Sequence, residues 1–244
     1  MDSYSGTVII PAMGRSERFK AAGYQEHKAL INVRERGRDS SAPIIKRIAW
    51  SIPLDWQIRI IVPQELYHRF ADIFKEDLGR VEILSIAGET EGQSHTVLRG
   101  LLGLNAAKPV AITDCDVEFH PNTVAKFLST NANLTMVHHH PQGDPIYSYV
   151  RLDKDDVNRV LEVAEKNRIG SWAQSGFWRF NRAGSIHKAI AEQIRSDIRH
   201  TNGEFYLSGA LNLLPERLDG YSGWTPMHSY GTPAAIEAGE MEIV

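Results

Sequence analysis

Residues 7–33 read TVIIPAMGRSERFKAAGYQEHKALINV, and the fold turns on this stretch. Thr7, Val8, Ile9 and Ile10 form a short apolar run rich in β-branched residues with turn chemistry at its ends, the pattern of a strand buried in a parallel sheet. The loop that follows carries one early glycine, Gly14, together with Arg15, Ser16, Arg18, Lys20 and Lys28. A glycine lets backbone N–H groups approach an anion while nearby cations neutralise it, so a phosphate-binding loop is one reading. A plain solvated loop after a first strand is the other, and spacing alone leaves both open.

The rest of the chain sets the frame. At 244 residues and 42% hydrophobic content the sequence is long enough for one sizeable core, and one α/β domain over residues 1–244 is expected. A net charge of −3 gives no basic face for nucleic acid, so no nucleic-acid partner is expected. Cys115 is the one cysteine, which excludes an intrachain disulfide. No apolar signal segment opens the chain and no run approaches twenty apolar residues, so a cytoplasmic protein without a membrane partner is expected. The sequence is silent on oligomeric state.

Along the chain, Arg34 to Ser41 reads as an exposed charged loop, and Pro43 opens a helix through Ile44, Ile45, Ile48 and Ala49. Ile58 to Val62 predicts a strand, Gln64 to Lys75 a helix and Val81 to Ile86 a strand, and the stretch Glu91 to Leu98 opens a helix that runs to about Leu104. Val110 to Ile112 is a fourth strand, Leu134 to His139 and Ile146 to Leu152 are further strands, and Arg182 to Arg199 is an amphipathic helix. Such alternation argues for a mixed, mainly parallel sheet covered on both faces, with ligands at the carboxyl ends of its strands.

Several segments carry candidate chemistry. Gly92 lets the backbone approach a flat ring and Gln93 offers an amide to base edges; an ordinary helix start is the alternative. Asp114 and Asp116 follow a buried strand at i and i+2, where hard carboxylate oxygens suit Mg²⁺ or Mn²⁺ carrying a nucleotide's phosphates. A pair of turn-forming aspartates before the Pro121 helix is the alternative, and position at a strand's carboxyl end favours the metal. His138, His139 and His140 suggest zinc, but adjacent residues of a strand face opposite ways and no spaced partner completes a set. Glu165 and Lys166 read in isolation as a solvated pair at a strand end.

Taken together these segments resemble the sugar-phosphate nucleotidyltransferases, the nucleoside-diphosphate-sugar pyrophosphorylase family. Pro11-Ala12-Met13-Gly14-Arg15-Ser16-Glu17-Arg18-Phe19 is similar to the family's opening glycine-rich signature, and Lys28-Ala29-Leu30-Ile31 to the lysine element after it. Ser16 stands at the second signature glycine and Glu17 at the Ser or Thr before the arginine. Glu91 to Leu98 is similar to the segment beside the nucleobase, and Asp116-Val117-Glu118-Phe119 to the metal-binding G-D-x-x-F element. Val160 to Lys166 with Ser171 to Phe180 resembles the acceptor half, Gly203 to Leu211 a G-E-Y-x-x-S/T-D segment with Gly209 at the acidic position, and Trp224 to Thr232 a closing W-x-D-x-G-T element with Ser229 at the carboxylate.

The resemblance implies a Rossmann-like nucleotide-diphospho-sugar transferase fold of the GT-A kind. It also implies transfer of a nucleotidyl group from a nucleoside triphosphate to a phosphorylated small-molecule acceptor, a sugar 1-phosphate above all, with release of pyrophosphate. Arg18, Lys28 and Lys166 would then be catalytic, with Ala12, Met13, Gly14, Arg15, Ser16, Gly92, Gln93 and Asp114 around the nucleotide. Glu165 and Gly176 would meet the acceptor, and Asp116 with Asp114 would hold Mg²⁺, or Mn²⁺. Two further readings stand beside it. A metal-dependent glycosyltransferase of the same fold fits Asp114-Cys115-Asp116, although it has no triphosphate to require Arg18 and Lys28. A non-catalytic binding relative fits the substitutions at Ser16, Glu17, Gly209 and Ser229.

Overall fold

The opening run forms strand β1 (Gly6–Pro11). The computed structural model describes residues 4–34, 41–77, 79–222 and 227–238 and places β1 inside a nine-stranded mixed sheet. Val8 and Ile10 enter one core and Ile9 the other, all three fully buried, as the two-residue period of a doubly covered strand requires. Helix α1 (Glu17–Ala21) and a 3-10 turn at Lys28–Leu30 follow, then an antiparallel ribbon of β2 (Asn32–Arg34) and β3 (Ser41–Pro43). Of the expected loop from Arg34 to Ser41, residues 35–40 lie outside the described residues; its ends are strand residues.

The alternation read from the sequence then appears as α2 (Ile44–Ser51), β4 (Trp56–Pro63), α3 (Tyr67–Ile73), β5 (Val81–Ile86), α4 (Gln93–Leu101) and β6 (Val110–Thr113). β6, β1, β4 and β5 are parallel neighbours in that order. The other half holds β7 (Val117–Phe119), α5 (Pro121–Ser129), β8 (Leu134–His139), β9 (Ser148–Leu152), β10 (Val160–Glu165) and β11 (Trp172–Phe180). β11 joins the halves, antiparallel to β6, β8 and β9. The chain closes through α6 (Ala183–Arg195), α7 (Leu207–Leu211), β12 (Asp219–Tyr221), which runs parallel to β8, β13 (Met227–Ser229), which pairs with β7, and α8 (Pro233–Ala238).

One core lies under α2, α3 and α5 and the other under α4, α6 and α7. Three helix boundaries differ from the sequence reading, each for a local reason. The helix expected over Gln64 to Lys75 begins with a 3-10 turn at Gln64–Leu66 and ends at Ile73, where the Phe74 N–H closes on Phe70 and Ala71 carbonyls. α4 stops at Leu101 rather than near Leu104 because Gly103 is left-handed and the Arg59 guanidinium takes the Gly100 and Leu102 carbonyls. α6 stops at Arg195 rather than Arg199 because Asp197 turns left-handed (φ 51°) and the Ile198 N–H reaches back to the Gln193 carbonyl, a Schellman stop built on aspartate. β9 starts at Ser148 rather than Ile146. Among the described residues no helix is long and apolar enough to cross a membrane.

Candidate active site

Parallel strands point their carboxyl ends to one side of the sheet, and there the loops after β1, β5 and β6 open a cavity of about 950 Å³. The signature loop from Met13 to Glu17, Lys28, the segment Glu89 to Gln93, and Asp114 to Asp116 line it together with Tyr147, Ser148, Glu165, Gln174, Gly176 and Trp178.

The signature loop is bent by Ser16, whose φ of 55° is left-handed. That conformation is open to glycine and strained for a side chain, which gives the second signature glycine its physical reason. Ser16 offsets the strain, because its Oγ accepts the Lys28 backbone N–H at 3.0 Å and so ties the two signature elements together. His27 closes the loop from below: its Nδ1 accepts the Ala29 N–H, leaving Nε2 to donate to the Gly14 carbonyl at 2.9 Å. Burial pushes this imidazole down to about 4, against the opposing pull of the Gly14 carbonyl.

Lys28 then points its ammonium at Asp116, Nζ to Oδ2 2.5 Å. Burial lowers the ammonium's pKa, but Asp116, Cys115 and Asp114 outweigh it, and Lys28 stays charged above its ordinary range. Asp114 is the opposite case. Burial and the neighbouring Asp116 charge raise its carboxyl, and Lys28 and the Gln93 amide only partly oppose them. Gln93 Nε2 donates to Asp114 Oδ1 at 2.6 Å, and Gln93 Oε1 faces the Leu207 N–H. The amide read as a partner for a base is thus engaged with the carboxylate. Between the two aspartates, Cys115 is buried and its thiol pushed up to about 12, which leaves it inert.

Two glycines are explained by close approach. A side chain at Gly176, which is left-handed, would collide with Asp114 Oδ2, so the room this glycine leaves is filled by Asp114. A side chain at Gly92 would sit 2.7 Å from the backbone N and O of Phe205, because Glu91 and Ser94 hydrogen-bond to Phe205 across it. Glu165 Oε2 accepts from the Ser148 and Ser208 hydroxyls. Lys166 is left-handed (φ 49°) and rests its ammonium over the Tyr206 ring, 4.9 Å from the centroid, rather than in the cavity wall. Gly209 faces Gln193, whose amide donates to the Tyr206 and Ile198 carbonyls and fills the space where the resemblance has a carboxylate.

The closing segment reaches the site through β13, which sets Ser229 opposite Val117; residues 223–226, with Trp224 among them, lie outside the described residues. The Tyr230 N–H donates to the Asp116 carbonyl at 2.7 Å, and its hydroxyl donates to Glu118, which Arg47 grips through two bonds. Ser229 Oγ and Asp116 Oδ2 therefore border one space above Gly231. Asp114, Asp116 and Ser229 give a hard-oxygen donor set in which two carboxylates repel each other, chemistry that fits a Mg²⁺-like cation. No cluster of three or more histidine, cysteine or acidic side chains stands ready for a metal among the described residues. His138 is buried against Ser175 and His140 bonds Tyr149, so the triplet is spent in packing.

Met13, Gly14, Arg15, Ser16, Lys28, Gly92, Gln93, Asp114, Asp116, Glu165 and Gly176 all line the cavity. Ala12 is buried behind it, and Arg18 is exposed on α1 outside the lining. Sequence reading named Arg15 but missed its rim partner Glu89, and it missed Arg199, which pairs with Glu91 while stacking on Phe205. It also missed Tyr206, Gln174 and Trp178 in the wall. Position after a parallel strand would have flagged Glu89 and Glu91; for Arg199, released by the early end of α6, the sequence carries no signal.

Sheet order, two helical layers and a cavity at the strand ends define a Rossmann-like α/β fold of the nucleotide-diphospho-sugar transferase type. Solved structures share it over most of their length. A nucleoside-diphosphate-sugar pyrophosphorylase from Vibrio cholerae RC9 is 18% identical, with 95% of this chain and 98% of that one covered at a TM-score of 0.73. A UDP-glucose pyrophosphorylase complexed with UDP-glucose is 15% identical (96% and 97% covered, TM-score 0.72), and the inositol-1-phosphate CTP transferase from T. maritima 13% (96% and 91%, 0.70). No family model and no curated protein matches the sequence. At such identities the likeness is one of fold.

Proposed function

We propose that the chain is a single-domain nucleotidyltransferase that joins a nucleoside triphosphate to a phosphorylated acceptor, a sugar 1-phosphate, and releases pyrophosphate. The observation that carries this reading is the convergence of Gly14, Ser16, Lys28, Asp114, Asp116, Glu165 and Gly176 on one cavity at the carboxyl ends of the parallel strands. The fold's likeness to enzymes named for this chemistry supports it. An oxygen of the acceptor phosphate attacks the α-phosphorus, the bond from that phosphorus to the bridging oxygen breaks, and pyrophosphate departs. The nucleophile is already ionised, so the protein supplies position and charge rather than a general base.

Lys28 would turn from Asp116 to the triphosphate, Arg18 on the first turn of α1 would steady the leaving pyrophosphate, and Lys166 would lift from Tyr206 to the incoming phosphate. Mg²⁺ (or Mn²⁺) held by Asp114 and Asp116 would neutralise phosphate charge. Ala12, Met13, Gly14 and Arg15 would follow the phosphates, Gly92 and Gln93 the nucleoside. Both substrates are met in the cytoplasm, where we place the protein. Incubation with Mg²⁺, each triphosphate in turn and a panel of phosphorylated acceptors, followed by a pyrophosphate assay, tests the reading. Release with at least one pair is expected, and silence with every pair defeats it.

A further inference from the structure

A parallel strand covered on both faces should be apolar throughout, yet one face of this sheet turns polar toward the amino ends of its strands. Ile9 of β1 and Ile61 of β4 lie in the core under α4, α6 and α7. Earlier positions of the same face are Thr7 on β1, and Arg59 and Gln57 on β4. Thr7 stands beside Gln57 and Ile9 beside Arg59 in the parallel register, so the three polar side chains are neighbours. They line a second cavity of about 220 Å³, together with the turn Gly103 to Asn105 after α4, Lys108 before β6 and Ala183 at the start of α6. This cavity lies at the opposite end of the strands from the candidate active site.

The polar groups in it have hydrogen-bonding capacity to spare. Arg59, 9% exposed, gives Nε to Glu82 and Nη1 to the Gly100 and Leu102 carbonyls, which holds its head beside the Gly103 turn and leaves Nη2 without a partner among the described residues. Lys108 Nζ donates to the Tyr4 carbonyl at 2.9 Å and forms no ion pair among the described residues, so its charge is uncompensated. The side chains of Thr7, itself 9% exposed, and of Gln57 make no hydrogen bond among the described residues. No carboxylate lines the cavity. The first N–H groups of α6 are spent on the Lys108 and Ala106 carbonyls, so side chains and not a helix end set the chemistry.

An ammonium and a guanidinium only donate, a hydroxyl and an amide can donate, and together they call for a ligand that only accepts and carries negative charge. A carboxylate offers two oxygens in one plane, whereas a phosphate offers its oxygens in a tetrahedron, which suits donors arriving from β1, from β4 and from Lys108. The volume is that of a small ligand, below the roughly 300 Å³ at which pockets for drug-sized molecules begin. We propose that this cavity binds a small phosphate, free or as the phosphate group of a small metabolite, through Thr7, Gln57, Arg59 and Lys108. The site is separate from the candidate active site and does not rest on the nucleotidyltransferase reading.

Backbone amide NMR spectra of the whole chain, titrated with inorganic phosphate, glycerol 3-phosphate, acetate or chloride at matched ionic strength, test this. Gly103 and Ala183 report the second cavity, and Gly14 and Gly92 report the first. Saturable shifts at Gly103 and Ala183 are expected with a phosphate and not with acetate or chloride; tighter binding of inorganic phosphate marks a free-phosphate site, and tighter binding of glycerol 3-phosphate a metabolite site. Lys108→Met, and Thr7→Val, which keeps size and β-branching, should each weaken the binding seen at Gly103 by about tenfold, as loss of a hydrogen bond to a charged group does, and leave that seen at Gly14 unchanged. Shifts confined to Gly14 and Gly92 would overturn the proposal. So would equal shifts with acetate or chloride, or phosphate binding at Gly103 that is the same in parent and both variants. Loss of pyrophosphate release with every substrate pair would defeat the transfer reading and leave this site untouched.

Discussion

Lys28 shows how one residue serves two elements, its backbone N–H held by Ser16 Oγ and its ammonium by Asp116. Lys28→Ala should lower turnover by about a hundredfold or more, at about 1.4 kcal/mol per decade, without unfolding the chain. Arg18→Ala should do the same and Arg15→Ala far less, because Arg15 spends its charge in an exposed pair with Glu89. Steady-state kinetics on the three variants checks the ranking; full activity in folded Arg18→Ala would remove Arg18 from the chemistry. Ser16 gives a stability test. Ser16→Gly relieves a left-handed side chain but loses its hydrogen bond, so its stability should stay within about 0.5 kcal/mol, whereas Ser16→Ala keeps the strain, loses the bond and should cost about 1–2 kcal/mol in denaturant unfolding. At this scale the sequence was informative where chemistry is local: Gly14, Lys28, Asp114 and Asp116, whose roles spacing alone left open and the resemblance grouped, line one cavity. Gln93 and Gly176 line it too, yet what they touch is Asp114, a tertiary contact that no spacing encodes.

Elements were legible where hydrophobic period is strong and obscure where a turn is made by an unusual residue. β1, β4, β6 and β8 are the strands their apolar runs announced, while three-residue β7 and β13 have too few positions to show a period. The end of α6 was misplaced because aspartate, not glycine, takes the left-handed position. The β8–β11 pair carries a pH prediction through His138. Burial first, and His140 second, push its imidazole down to about 4, so between pH 4 and its unfolded value near 6.5 the unfolded chain binds the extra proton. Its contribution is therefore complete above about pH 6.5 and is lost as pH falls toward 4, on the order of 2 kcal/mol. His27 acts in the same direction. Urea unfolding from pH 4 to 7 should show stability rising with pH, and His138→Asn should flatten the slope; a slope unchanged in that variant would assign it elsewhere. Lys166, at the end of β10, offers a kinetic test. Lys166→Ala should raise the acceptor KM while calorimetric nucleotide binding survives, and equal damage to both would show that the residue does not serve the acceptor.

Across the whole molecule, the proposed cation site is assembled from three segments far apart in sequence: Asp114 and Asp116 after β6, Lys28 from the signature, and Ser229 brought in by β13 under the Arg47–Glu118–Tyr230 clamp. Lys28 already occupies Asp116, and Asp114 has a raised pKa, so a divalent cation must displace an ammonium and take a proton's place to bind. Magnesium also holds its waters tightly and relies on phosphate oxygens to complete its octahedron. Free protein should thus bind Mg²⁺ poorly, and nucleotide, by drawing Lys28 onto its phosphates, should release Asp116 and tighten cation binding. Calorimetric Mg²⁺ titrations with and without triphosphate measure the difference. Lys28→Met should strengthen cation binding by the nucleotide-free protein, and Ser229→Asp should strengthen it further by adding a carboxylate beside Asp116. Asp116→Asn should abolish pyrophosphate release at any Mg²⁺ concentration, since an amide of nearly equal size keeps the packing and removes the charge. Tight binding by the free parent protein, or full activity in Asp116→Asn, would place the cation on another set of oxygens and leave Asp114 and Asp116 as a turn gripped by Lys28.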